Sequence, residues 1–291
     1  MNMNKIEKGS CRLKDGTQLS YLKSGCGSIN IMLLHGLAGS SFIWRRFMLS
    51  NTGRFTCWAF DMKGFGDSSK PSHASDYKLS DLGKEMLEAG RTLGIGNAIV
   101  IGHSMGGQVA MSMACTGSKA VRALVVVDSG PKPSLKVREW LDELENKKDL
   151  KGFMKSKVPT FFNSLTKTEE RSMVREAMKM SFSSLDGLLR NILKFDATAC
   201  MKKLTIPTML IFGENDNNRS LAELKELNAL VKGSRLYVVK GSKHCPMYEN
   251  EKEFSRRVIG FADFVTKRQA RTRHAEVTPS SLKAVKKSIR L

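Results

Sequence analysis

The chain has 291 residues, 41% apolar and 26% charged, a length and balance that allow one large domain or two small ones around a sizeable core. No run of about 18 apolar residues occurs, which excludes a membrane-spanning helix, and the opening Met1-Asn-Met-Asn-Lys-Ile-Glu-Lys8 lacks the apolar stretch of a secretory leader. The net charge of +20 is a dispersed field that attracts anions, but no helix-turn-helix, zinc finger or aromatic-studded RNA motif accompanies it, so specific nucleic-acid binding is not implied.

Cys11 to Leu22 reads as a hairpin about the turn signal Asp15-Gly16. Ile29 to Leu34 is a nearly continuous apolar run, as in a strand buried on both faces of a parallel sheet, and it ends at His35-Gly36. Phe55 to Phe60 is the next strand and closes on Asp61-Met-Lys-Gly-Phe-Gly66. Leu79 to Leu93 has helical period and stops at Gly94. A short strand starts at Ala98 and reaches Ile101; a helical pattern begins at Gln108. Between them lies Gly102-His103-Ser104-Met105-Gly106, a Gly-x-Ser-x-Gly sequence on a strand-to-helix turn. A turn this sharp strains its central residue, and side chains two positions either side would collide across it. It projects the Ser104 hydroxyl off the end of the sheet, beside the positive end of the following helix.

Val121 to Val127 is a further strand, ending at Asp128-Ser-Gly-Pro131. From 131 to 203 only helical stretches rich in Phe, Met and Lys appear, so this segment is expected to be an all-helical insertion. Alternation resumes with strand Thr208–Phe212, helix 220–231, strand Arg235–Val239 and helix 251–267. Strand–helix repetition with buried strands predicts an α/β fold with a doubly wound, mostly parallel sheet. The domain reading is a core of 1–130 and 204–266, a helical cap of 131–203, and a basic tail of 267–291. That tail carries eight Lys or Arg against Glu276 and is expected to be disordered, with weak association to anionic surfaces as one use open to it. The six cysteines (11, 26, 57, 115, 200 and 245) show no Cys-x-x-Cys pair or regular spacing. They are expected to be reduced thiols of a cytoplasmic protein, neither a disulfide framework nor a metal site.

A serine hydroxyl needs an imidazole within hydrogen-bond reach to take its proton. Of five histidines, His73 sits in a polar loop, His274 in the tail, His103 beside Ser104 but pointing away, and His35 in an earlier loop. His244, in Lys240-Gly-Ser-Lys-His-Cys-Pro246, follows the last strand and opens on the same sheet edge as Ser104. The imidazole in turn needs a carboxylate. Asp216, in Gly213-Glu-Asn-Asp216, lies in the chain order Ser, acid, His; Asp128 is the runner-up acid and Glu214 a third candidate. The oxyanion needs two donors: the Met105 amide at the start of the elbow helix, and the Leu37 amide in His35-Gly-Leu-Ala-Gly39.

These pieces together resemble an α/β-hydrolase of the esterase/lipase-like superfamily with a helical cap. The resemblance rests on Leu34-His-Gly-Leu37, Asp61-Met-Lys-Gly-Phe-Gly-Asp-Ser68, Gly102-His-Ser-Met-Gly-Gly107, Ile206-Pro-Thr-Met-Leu-Ile-Phe-Gly-Glu-Asn-Asp216 and Gly241-Ser-Lys-His244. It implies a Ser104–His244–Asp216 triad, no metal or organic cofactor, and a lid over roughly 131–203. Lys243 departs from the small residue usual there; a cation beside the base would disfavour its protonated form. The expected function is hydrolysis of a small-molecule acyl substrate (ester, thioester or lactone) through an acyl-enzyme on Ser104. A serine nucleophile argues against the dehalogenase and epoxide-hydrolase branches, which use Asp at that position. Carbon–carbon bond hydrolysis, cofactor-free perhydrolysis and acyl transfer would use the same triad. A ligand-binding receptor with a retained triad, or an interaction protein led by the tail, are the non-enzyme alternatives.

Overall fold

The computed structural model describes residues 5–276. The core elements in chain order are β1 (Glu7–Arg12), β2 (Gln18–Ser24), β3 (Ile29–Leu34), α1 (Arg45–Ser50), β4 (Phe55–Phe60), α2 (Leu79–Thr92), β5 (Ala98–His103), α3 (Met105–Cys115) and β6 (Val121–Val127). The insertion follows as α4 (Lys136–Lys147), α5 (Leu150–Lys157), α6 (Lys167–Ala177), α7 (Phe182–Ile192) and α8 (Thr198–Met201). The core then closes with β7 (Thr208–Gly213), α9 (Leu221–Leu230), β8 (Arg235–Val239), α10 (Pro246–Glu249) and α11 (Glu251–Glu276). The eight strands form one sheet in the order β1-β2-β4-β3-β5-β6-β7-β8. The β1–β2 hairpin and its junction with β4 are antiparallel; every pairing from β4 through β3 to β8 is parallel.

The apolar runs do what a doubly covered sheet requires. All six residues of β5 and of β7 are buried, and β6 leaves only Arg122 partly exposed. Helix α3 buries nine of its eleven residues, because it lies over β5 and β6 and packs against α2. The strand order reverses between β3 and β5, and ligands in such sheets bind beyond the carboxyl ends of the strands at this point. The register brings those ends level: Leu34 pairs with Gly102, His103 with Val127, and Val127 with Ile211. Each residue expected to do chemistry sits just past one of these strand ends.

The insertion is helical, with no strand between 128 and 207 among the described residues. Its helices start with side-chain caps where the sequence supplies them: Asp149 for α5, a Thr166/Glu169 capping box for α6, and Ser181 for α7. Phe153, Met154, Phe161, Phe162 and Met173 are buried, while Phe182 is exposed. Among the described residues no helix is long and apolar enough to cross a membrane.

Two expectations are corrected. Cys115 and Cys200 are joined in a disulfide, not reduced; the fold brings the last residue of α3 against α8, which a separation of 85 residues does not announce. Cys11, Cys26, Cys57 and Cys245 are free thiols. The expected cytoplasmic location thereby loses the support that six reduced thiols would have lent it. The second correction concerns the tail. Helix α11 continues through Glu276 rather than ending near 267, because Lys267, Arg268, Gln269, Ala270 and Arg271 are strong helix formers as well as charged ones. The remainder of the expected tail, 277–291, lies outside the described residues.

Candidate active site

The turn between β5 and α3 carries Ser104 at φ 51°, ψ −121°, in the left-handed half of conformational space. A non-glycine residue there is strained by about 1–3 kcal/mol, and the surroundings must hold it. They do so by close approach of bare backbone. A Cβ on Gly102 would lie 2.2 Å from the Gly106 carbonyl oxygen, and one on Gly106 would lie 2.3 Å from that of His35. Helix α3 starts at Met105, immediately after the serine and three residues before its apolar pattern becomes visible in the sequence.

Ser104 Oγ lies 3.0 Å from His244 Nε2, and His244 Nδ1 lies 2.8 Å from Asp216 Oδ2. The three side chains come from the ends of β5, β7 and β8, in the order serine, acid, histidine along the chain. With Nδ1–H donated to Asp216, Nε2 presents its lone pair to the serine hydroxyl. His244 is buried and held from several sides. Its amide donates to the Phe161 carbonyl at 3.1 Å, and its own carbonyl accepts from His103 Nε2 at 2.7 Å. The His103 and Phe161 rings flank it, with centroids 4.8 and 5.6 Å away. Burial, reinforced by the neighbouring His244, keeps His103 well below its ordinary pKa, so this neutral ring donates from Nε2. His103 therefore props the base from behind, a role its position beside Ser104 does not suggest.

The Asp216 side chain is fully buried. Burial alone would raise its pKa, but the charge and hydrogen bond of His244, the Asn218 amide at 2.7 Å and a hydrogen bond from Asp128 leave it below the ordinary carboxylate value. Asp128, the runner-up acid, is not a rival but a neighbour. It follows β6 at φ 46°, accepts from the Gly213 amide at 2.9 Å through Oδ1, and stands against Asp216. Burial first, and the Asp216 charge second, push its pKa well above the usual range. This setting favours its protonated form, and its buried Oδ2 has no hydrogen-bond partner among the described residues. Glu214 faces outward and accepts from the Gly241 amide at 3.0 Å, which fixes the turn leading to His244 rather than the imidazole itself. Lys243 is half-buried, and its amide donates to Glu249. Donor atoms of Asp128, Asp216 and His244 lie within 4.8 Å of one another. Both imidazole nitrogens are already committed, to Asp216 and Ser104, so His244 has no free lone pair for a cation.

Leu37 and Met105 line the same void as Ser104 and His244, and neither amide has a protein acceptor among the described residues. The loop bearing Leu37 is held by His35, whose Nδ1–H donates to the Gly36 carbonyl at 2.8 Å while Nε2 accepts from the Met62 amide. Burial keeps that ring neutral. The void is about 30 Å³ and is closed above by Val137, Trp140 and Ile192 of the insertion. A second void of about 40 Å³, beyond Leu37, is lined by Gly36, Phe161, Phe162, Met173 and Cys245. Most of the insertion's Phe and Met side chains build its own core rather than either void.

A strained serine on a strand-to-helix turn, a histidine after the last strand and a buried acid between them, on a sheet of this order, define a hydrolase of the α/β-hydrolase type. The chain belongs to the alpha/beta hydrolase fold family, whose model matches residues 29–251. It is similar to 2-(acetamidomethylene)succinate hydrolase of Mesorhizobium japonicum, 24% identical over 253 residues that cover 80% of this chain and 86% of that protein. Epoxide hydrolase 3 of Xenopus tropicalis is 25% identical over 90% of this chain and 80% of its own length. Among solved structures, the enol-lactonase of Burkholderia xenovorans LB400 has the same fold, with a TM-score of 0.81 at 18% identity over 88% of this chain and all of that one.

Proposed function

We propose that the protein is a serine hydrolase that cleaves a small carboxylic ester, thioester or lactone through an acyl-enzyme on Ser104. The observation that carries this reading is the continuous relay from Ser104 Oγ through His244 to Asp216, at 3.0 and 2.8 Å. His244 takes the serine proton as Oγ attacks the carbonyl carbon, then returns it to the leaving oxygen or sulfur. Asp216 fixes the Nδ1–H tautomer and stabilises the imidazolium. The Met105 amide, at the N-terminus of α3, and the Leu37 amide, in the loop after β3, receive the oxyanion. Water then repeats the sequence in reverse to free the acid. Lactones and esters accord with the fold likeness to an enol-lactonase, and a serine rather than a carboxylate at 104 suits acyl transfer to oxygen.

The 30 Å³ void is far below the roughly 300–1,000 Å³ of ordinary ligand pockets. The insertion therefore acts as a cap, and Val137, Trp140 and Ile192 must withdraw for substrate to reach Ser104. The test is hydrolysis of p-nitrophenyl acetate, butyrate and octanoate by wild type and Ser104→Ala. Activity should fall by about 10⁴-fold or more in the variant, and a phosphonate ester should label the wild type on Ser104 alone. A folded wild type inert toward all three esters and unlabelled by the phosphonate would refute the acyl-enzyme reading.

A further inference from the structure

One wall of the Ser104 void has no task in that scheme. Asn218 and Arg219, from the loop between β7 and α9, face it beside Gln108 of α3 and Ser134 at the start of the insertion. Asn218 is only 9% exposed, and its Nδ2 has no hydrogen-bond partner. Buried donors left unpaired are rare, and one lining a site asks for an acceptor from a ligand. The Arg219 side chain is also 9% exposed. Its Nη2 donates to the Lys132 carbonyl at 2.6 Å, and its Nη1 to Glu223 at 3.2 Å. The same Lys132 carbonyl accepts from Gln108 Nε2 at 3.2 Å, so the guanidinium is fixed in place before any ligand arrives. A guanidinium carries five N–H donors in a rigid fork suited to carboxylates, and these bonds use two. Glu223, its one carboxylate partner by hydrogen bond among the described residues, has a side chain 41% exposed.

We propose that Asn218 and Arg219 form a carboxylate-binding subsite, so that the substrates of this enzyme carry an anionic group on the acyl portion. The acyl side is chosen because Ser104 lines this void and not the second one, and the group left on Ser104 Oγ must meet this wall. The ester form of the inference rests on the acyl-enzyme reading above; the subsite itself is separately measurable.

The experiment compares monomethyl glutarate with dimethyl glutarate, which differ in one charge, by release of methanol. Wild type should favour the monoester by about tenfold or more in kcat/KM, as a charge-assisted hydrogen bond implies. Arg219→Gln should lower kcat/KM for the monoester by about tenfold or more and so abolish that preference. Asn218→Leu, which leaves the guanidinium and its tethers in place, should reduce the preference without removing it. Glu223→Gln, which frees Nη1, should strengthen it. A wild type that favours the diester would overturn the proposal. So would an Arg219→Gln variant that loses both activities equally, because Arg219 would then be a clamp on the insertion. If neither ester is cleaved, the acyl-enzyme reading fails, and calorimetric titration with glutarate decides on the subsite. Saturable binding weakened at least about tenfold by Arg219→Gln would sustain it, and no binding by wild type would end it.

Discussion

Replacing Asp128 separates two descriptions of the buried acid pair. If Asp128 is neutral, asparagine imitates it closely: Oδ1 still accepts from the Gly213 amide, and Nδ2 donates to Asp216 where the carboxyl proton did. Alanine removes both bonds. The Gly213 amide would be left buried without an acceptor and Asp216 without a donor, each at about 1–3 kcal/mol. The sum, roughly 2–6 kcal/mol, corresponds to a drop in Tm of about 3–10 °C for a chain of this size. The pH dependence has a definite sign. In the unfolded chain an aspartate ionises near pH ~4, whereas in the fold Asp128 keeps its proton to a much higher pH. Its contribution to stability is therefore complete below about pH 4 and is lost as the pH rises, at up to ~1.4 kcal/mol per pH unit. Asparagine has no proton to lose. Calorimetry of wild type, Asp128→Asn and Asp128→Ala from pH 4 to 8 should show the asparagine variant gaining steadily on wild type, by roughly 3 °C per pH unit at the steepest. Its ester turnover should stay within about threefold of wild type. An asparagine variant as damaged as the alanine variant, or a gap that does not change with pH, would show that Asp128 is ionised and that the neutral-acid argument is wrong.

Other consequences can be measured directly. Asp216→Asn should lower kcat by about 10⁴-fold with little change in KM, because the imidazole loses the partner that fixes its tautomer. Reduction of Cys115–Cys200 opens a closed loop that spans most of the insertion; the chain-entropy estimate for 85 residues is about 4.6 kcal/mol. Tm should fall by roughly 10 °C on adding reductant, and Cys115→Ala should be insensitive to it. Trp140→Ala enlarges the void beside Ser104 and should raise octanoate turnover relative to acetate; an unchanged chain-length profile would place the acyl group elsewhere.

The parts of the fold that were legible share one physical origin. Strands such as Ile29–Leu34 and Val121–Val127 are buried on both faces and advertise it as unbroken apolar runs, and the glycines of 102–107 mark backbone contacts that no side chain tolerates. Ser104, His244 and Asp216 follow from those landmarks, because the sheet brings its strand ends together. The residues that escaped prediction depend on how the insertion is laid over that edge. Nothing local to Phe161 says that its carbonyl meets the His244 amide, and nothing in the spacing of Cys115 and Cys200 pairs them. In the sequence Asp128 reads as a rival acid; that it stands beside Asp216 as its companion requires the 4.8 Å cluster and its burial. Asn218 and Arg219 did carry a faint signal, two polar residues within three positions of Asp216 at the ligand-facing edge. At 267–276 charge was read as disorder, where helix propensity prevailed.

The hydrogen bond from the His244 amide to the Phe161 carbonyl ties the general base to the roof it works beneath. If the proposed withdrawal carries Phe161 with it, it breaks a bond in the backbone of the residue proposed to deprotonate the serine. Admission and chemistry then belong to different moments of the cycle. An enzyme built this way behaves like an airlock, with the outer door shut before the inner reaction is armed. On that reading the serine would be least activated when bulk water has freest access to it.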